Sequence, residues 1–217
     1  MQIDFNSDKI IWVSYAPGGS GHSVTRLISL SPDVYWNDAE QDDPEFNTTG
    51  RAHFDTMVPF AYTGKRDPSH IKLWMMQNNN FKDINTDLKI CSPIHINTNQ
   101  LGYVFPNAKI VAIRTSDHKE TMRAIYEKVP DLLFAIDDNK KECIRKSRAR
   151  AIDRRNALDN NKDINILVIE KDKLFSRTGW DTEYLKICEF VGIKPMLDKA
   201  SLFIVDYIDK QWNRKII

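Results

Sequence analysis

Apolar residues along the chain gather into short, nearly unbroken runs separated by turn residues. Four of them, "IIWVSY" (10–15), "LKICS" (88–92), "KIVAIR" (109–114) and "NILVIE" (165–170), read as β-rich, and all but the second are dense in β-branched side chains. A run that is apolar at consecutive positions, and not at alternate ones, fits a strand covered on both faces, as in a parallel sheet flanked by helices. Segments with helical spacing lie between and after these runs, over 22–31, 68–78, 117–128, 139–160 and 180–191. Strand followed by helix, repeated, predicts an α/β fold: one domain over 1–217 with a central, mostly parallel sheet flanked by helices. In the last of these helices Leu185, Cys188 and Phe190/Val191 are spaced as a buried stripe, and Gly192 stands where a helix end calls for a left-handed residue. The region 36–66 is aromatic, polar and irregular, and its pattern fits both a substrate-side insertion and a long surface excursion.

Charge and composition narrow the function classes. Lys and Arg number 31 against 30 Asp and Glu, a formal net charge of +1, so no global field draws the chain onto nucleic acid or an anionic membrane. Anion recognition has to be local. No window approaches the roughly 20 apolar residues of a spanning helix, and "MQIDFNSDKI" lacks a leader pattern, so a cytoplasmic protein with no nucleic-acid or membrane partner is expected. Cys91, Cys143 and Cys188 are odd in number and widely spaced, which argues against a disulfide framework or a zinc site. His53, His70 and His118 show no ligand spacing, and no metal is expected. Nothing in the pattern speaks to oligomeric state.

The candidate chemistry starts at Ala16-Pro17-Gly18-Gly19-Ser20-Gly21-His22-Ser23, between the first strand and the first helix. In that context successive backbone N–H groups and a helix N-terminus point at one spot, which favours an anion. The segment fits the Walker A pattern only with Ala16 in place of the first glycine and His22 in place of the lysine. A neutral histidine supplies one N–H donor and becomes cationic where a bound dianion raises its pKa. The same glycines also suit a plain tight turn from strand to helix.

Three further segments resemble the sulfotransferase family, whose members have a P-loop NTPase-like fold. In "NAKIVAIRTSDHKETMRAIYEK" (107–128), Arg114 ends a strand and Thr121 follows Asp117 by four residues, similar to the family's arginine and serine that hold the 3′-phosphate of the donor, 3′-phosphoadenosine-5′-phosphosulfate (PAPS). The turn is one residue shorter than the family's and lacks its proline, which leaves Ser116 as the alternative hydroxyl. An arginine fork grips phosphate oxygens bidentately and a hydroxyl adds a short hydrogen bond, so the pairing makes chemical sense. In "LKICSPIHINTNQLGYVFPNAKI" (88–110), His95 is similar in placement to the histidine that takes the acceptor's proton. In "NILVIEKDKLFSRTGWDTEYLKICEFVGIKP" (165–195), Glu170, Leu174, Phe190 and Gly192 match a later strand and helix of the family.

The resemblance implies transfer of a sulfuryl group from PAPS to a hydroxyl or amine of a small-molecule or glycan acceptor, without a metal. It implies His95 and His22 as catalytic residues, and Gly18, Gly19, Ser20, Gly21, His22, Ser23, Arg114 and Thr121 as the donor site. Arginines 145, 148, 150, 154 and 155 with Lys146 form a solvated helix face, a substitute for the loop lysine or a hold for an acidic acceptor; Arg214 and Lys215 are a further late basic pair. Two alternatives stay open: a P-loop nucleoside or nucleotide kinase, which needs Mg²⁺ and ordinarily the loop lysine, and a non-catalytic nucleotide-binding relative.

Overall fold

The computed structural model describes residues 8–15, 20–35, 87–94, 98–115, 158 and 163–215. The predicted helices at 68–78 and 117–128 lie outside these residues, as does that at 139–160 apart from Leu158, which is helical and buried. The region 36–66 lies outside them as well.

Four strands form one parallel sheet: β1 (Ile10–Ser14), β2 (Ile90–Ile94), β3 (Lys109–Arg114) and β4 (Ile166–Glu170), in the spatial order β2-β1-β3-β4. Val13 lies opposite Pro93 on one side and Val111 on the other. β1 is therefore hydrogen-bonded along both edges, and all five of its residues are buried. The expectation is a mostly parallel, doubly covered sheet, and the described strands are all parallel.

β2 begins and ends two residues later than the sequence pattern indicates. Pro93 reads as a strand breaker, but it sits in β2 at the outer end of the described sheet order, where a missing N–H donor leaves the ladder to β1 intact.

Each face of the sheet is sealed by helices. On one face Ile11, Val13, Tyr15, Val111, Ile113 and Ile169 meet Val24, Leu27 and Ile28 of α1 (Gly21–Ile28). The same core takes in α3 (Lys171–Leu174), α4 (Trp180–Val191) and α5 (Leu197–Lys215) through Leu174, Tyr184, Ile187, Cys188, Val191, Ala200 and Ile204. On the other face Trp12 packs its indole on Phe105, which comes just after α2 (Thr98–Val104), with ring centroids 5.1 Å apart. The alternation of faces along β1 and β3 decides which residues enter which layer.

The buried stripe of α4 is Tyr184, Ile187, Cys188 and Val191; Leu185 is 41 % exposed, so its expected place in the stripe is a correction. Tyr184 is the residue on the core side of that turn. Its phenol oxygen accepts the Met196 N–H at 3.1 Å, so an aromatic with a polar tip outranks leucine at a place where a backbone donor needs a partner. Gly192 ends α4 at φ 65°, with the Ile193 N–H on the Cys188 carbonyl and the Gly192 N–H on that of Glu189, the paired bonds of a Schellman motif. Beyond it the Lys194 N–H donates to the Asp33 carboxylate at 2.6 Å and ties this segment to the turn after α1. Among the described residues no helix is long and apolar enough to cross a membrane.

The packing of this core sets two expected outcomes. Gly192→Ala places a side chain in the left-handed region and lowers the unfolding free energy by about 1 kcal/mol in chemical denaturation. Burial pushes the Cys91, Cys188 and Tyr184 pKa values up. A raised folded-state value means that this stabilisation is complete below the unfolded value and lost as pH rises towards the folded one. Stability therefore falls above about pH 8.5, where unfolded thiols ionise while the buried ones stay protonated. Urea midpoints measured across that range fall, and the fall is shallower in Cys91→Ala.

Candidate active site at the carboxyl end of the sheet

The strand order places a switch between β1 and β3: the chain leaves β1 to form β2 on one side, then crosses back to form β3 and β4 on the other. In open α/β sheets the crevice outside the carboxyl ends of the strands at such a switch is where ligands bind. The residues just past Ser14 of β1 and at the end of β3 border it.

The chain runs from Ser14 through Tyr15 towards the glycine loop and enters α1 at Ser20. Pro17, Gly18 and Gly19 lie outside the described residues. Ser20 has φ 62° and ψ 28°, the one non-glycine residue with positive φ among those described, and its carbonyl accepts the Val24 N–H at 3.0 Å. A left-handed serine costs on the order of 1 kcal/mol and persists only where its surroundings hold it. Part of that hold is visible: the Ser20 and Tyr207 hydroxyls share a hydrogen bond at 2.5 Å, and the Tyr207 ring stacks on Phe175 with centroids 4.1 Å apart.

Gly21 is glycine for want of room. A Cβ built there would lie 2.0 Å from Cδ1 of Tyr15, a buried ring that also meets the His22 imidazole edge-on at 5.8 Å. His22 is half-buried and Ser23 buried in the first turn of α1. That turn carries no acidic residue, so the positive end of the helix dipole is uncancelled by its own side chains. Thr25 Oγ1 donates to the Gly21 carbonyl and Ser29 Oγ to the Thr25 carbonyl, each at 2.9 Å, which satisfies two buried hydroxyls along the helix. Arg26 stands in the last turn, where a cation suits the helix C-terminus.

Arg114 ends β3 two residues beyond Ala112, the partner of Ser14 in the register. It faces Glu170 in the β3–β4 register, and its guanidinium is ion-paired and hydrogen-bonded to that carboxylate. Both side chains are about one-third exposed, so the pair contributes little to stability. A guanidinium carries its five N–H donors in a fixed fork, and the contact to Glu170 aims that fork.

Ser20, Gly21, His22, Ser23 and Arg114 thus stand at the carboxyl ends of the two central strands. His95 directly succeeds the last residue of β2 but lies outside the described residues, together with Thr121, Ser116, Asp117 and the arginines of 145–155. Nothing in the sequence marks Tyr207 or Phe175 as a site residue, and Glu170 reads there only as scaffold. Tyr207 lies 187 positions from Ser20, a pairing for which the sequence carries no local signal.

No protein-family model and no curated protein matches the sequence. Solved structures do. A retinol dehydratase crystallised with androsterone and the inactive cofactor PAP superposes with TM-score 0.51 at 12 % identity, over 91 % of this chain and 64 % of that one. The fold is that of the sulfotransferases. A sulfotransferase domain from the curacin biosynthetic pathway matches with TM-score 0.50 at 12 % identity, over 85 % of this chain and 74 % of that domain. This chain thus spans a little under two-thirds of the length of the first of these sulfotransferase-fold structures. The expected resemblance is borne out at the level of fold, and with it the α/β class.

The packing at Gly21 yields a prediction. Gly21→Ala forces the Tyr15 ring from its buried seat and destabilises the protein by about 1–3 kcal/mol, as overpacking does. A denaturation midpoint equal to that of the parent would show that Tyr15 has a second rotamer available.

Proposed function

We propose that this chain is a PAPS-dependent sulfotransferase, moving a sulfuryl group to a hydroxyl or amine of a small-molecule or glycan acceptor. The observation that carries this reading is the juxtaposition, at the switch between β1 and β3, of an α1 N-terminus free of acidic residues and an arginine at the end of the neighbouring strand. One anion site at the helix and a second, guanidinium-lined one nearby suit a donor with phosphate at both its 5′ and 3′ positions. The fold adds support, since a structure sharing it was crystallised with PAP and another is a sulfotransferase domain.

When bound, the donor supplies an activated sulfuryl group; the chain's task is alignment and charge stabilisation. The N–H groups of residues 18–23, with Ser20, His22 and Ser23, would receive the charge that builds on the leaving 5′-phosphate. His22 would act there as a hydrogen-bond donor. Arg114 and Thr121 would hold the 3′-phosphate. His95 would take the acceptor's proton as the acceptor's oxygen or nitrogen bonds to sulfur and the bond to the bridging 5′-phosphate oxygen breaks. On this reading residues 1–217 work as one domain, in the cytoplasm and without a metal.

Calorimetric titration with 3′-phosphoadenosine-5′-phosphate, beside ADP and Mg-ATP and repeated with EDTA, tests the reading. The bisphosphate is expected to bind at least about tenfold tighter than ADP, a difference of about 1.4 kcal/mol, and to be indifferent to EDTA. Arg114→Ala is expected to abolish that preference, and His95→Ala to keep binding while turnover falls about 10²–10⁴-fold. Preference for Mg-ATP would make the chain a kinase. Silence towards all three would make it a relative without the chemistry.

A further inference from the structure

The last helix of the chain reaches back to the first loop. Tyr207 lies on α5, about three turns in from its start at Leu197, and its hydroxyl meets that of Ser20 at 2.5 Å. Its ring is stacked on Phe175, with an interplanar angle of 29°, and Phe175 comes just after α3, which starts immediately after Glu170. Phe175 is in turn fixed, since its N–H donates to the Lys171 carbonyl at 2.9 Å and its ring packs against the buried core. One continuous set of contacts therefore runs from Ser20 through Tyr207 and Phe175 to the end of β4, whose Glu170 holds Arg114.

Ser20 is where such a hold matters. Its left-handed backbone turns the chain from the glycine loop into α1, so it sets the direction in which the first N–H groups of the helix point. Glycine would adopt that conformation at no steric cost, whereas serine needs an outside partner to keep it. Tyr207 is the partner that the structure records for its side chain.

We infer that Tyr207 is a positioning residue, which through its hydroxyl keeps Ser20 left-handed and the N-terminus of α1 aimed at the leaving phosphate. Its ring, stacked on Phe175, keeps that hydroxyl in register with the Arg114–Glu170 end of the site. The functional half of this inference rests on the sulfotransferase reading; the conformational half does not.

The test removes the hydroxyl and leaves the ring. Tyr207→Phe is expected to speed hydrogen exchange of the amides from Gly21 to Val24 about tenfold, the measure of one lost hydrogen bond, with the exchange of β1 and β3 unchanged. It is also expected to weaken 3′-phosphoadenosine-5′-phosphate binding by up to about tenfold. In the Ser20→Gly background, where the left-handed turn needs no hold, Tyr207→Phe is expected to change neither readout. That cancellation separates positioning from general scaffolding, because a merely structural tyrosine would cost the same in both backgrounds. Unchanged exchange in Tyr207→Phe, or an equal effect with and without Ser20→Gly, would overturn the inference. Faster exchange in a protein that never binds the bisphosphate would uphold the positioning and sink the sulfotransferase reading instead.

Discussion

β1 is hydrogen-bonded to β2 along one edge and to β3 along the other, and both of its faces are buried, one under α1 and the other against Phe105 beyond α2. A strand locked on four sides has a fixed end point. Ser14 and Tyr15, and beyond them the N-terminus of α1, are therefore held beside the crevice where β3 ends. A parallel neighbour adds the second constraint, because parallel pairing brings the carboxyl ends of β1 and β3 to one edge of the sheet. Arg114 thus comes to the same edge as Ser14 and Tyr15 by register alone. The site is a by-product of burying "IIWVS" completely.

The fold was legible for the same reason. Four unbroken β-rich runs with helical spacing between them leave a parallel, doubly covered sheet as the natural solution, and each run became a strand within two residues of its expected bounds. Gly192 was readable as a helix end because a left-handed terminus narrows the choice of residue so strongly. Three elements escaped: α2, α5 and α3, the last a single turn of four residues too short to show a period. α2 is short, and its "TNQLGYV" carries a central glycine and too few turns for a periodicity to appear. α5 spreads its buried positions, Ala200 and Ile204, among exposed Leu202 and Val205, so its apolar stripe is blurred. Leu185 shows the matching error at the level of one turn: spacing alone cannot tell which of two adjacent apolar residues faces in when the other, Tyr184, has a hydrogen bond to make.

The site was legible in part. Arg114 and the start of α1 are local features, an arginine closing a strand and a small-residue loop opening a helix, and local features can be read from spacing. Glu170 and Tyr207 are not. They act on Arg114 and Ser20 across 56 and 187 positions, and such pairings exist only once the sheet order and the last helix are known. One glycine also serves a purpose other than the one its motif suggests. The left-handed position at the helix entrance is Ser20, while Gly21 is required by the ring of Tyr15 against it.

The histidine at the lysine's place is then a question of charge. A phosphoryl group in transfer carries one more negative charge than a sulfuryl group, so a site for sulfuryl transfer asks less of a permanent cation than a kinase does. Under the proposed reading the start of α1 offers what a smaller demand needs: backbone N–H groups, a dipole uncancelled by any acid in the first turn, and an imidazole N–H donor. The strong fixed cation stands at the neighbouring strand end, in Arg114, where the proposed donor would present a phosphate that does not react and needs only to be gripped. The division is physical: a rigid guanidinium for the group that must stay, and softer, dipolar donors for the group that must leave with PAP.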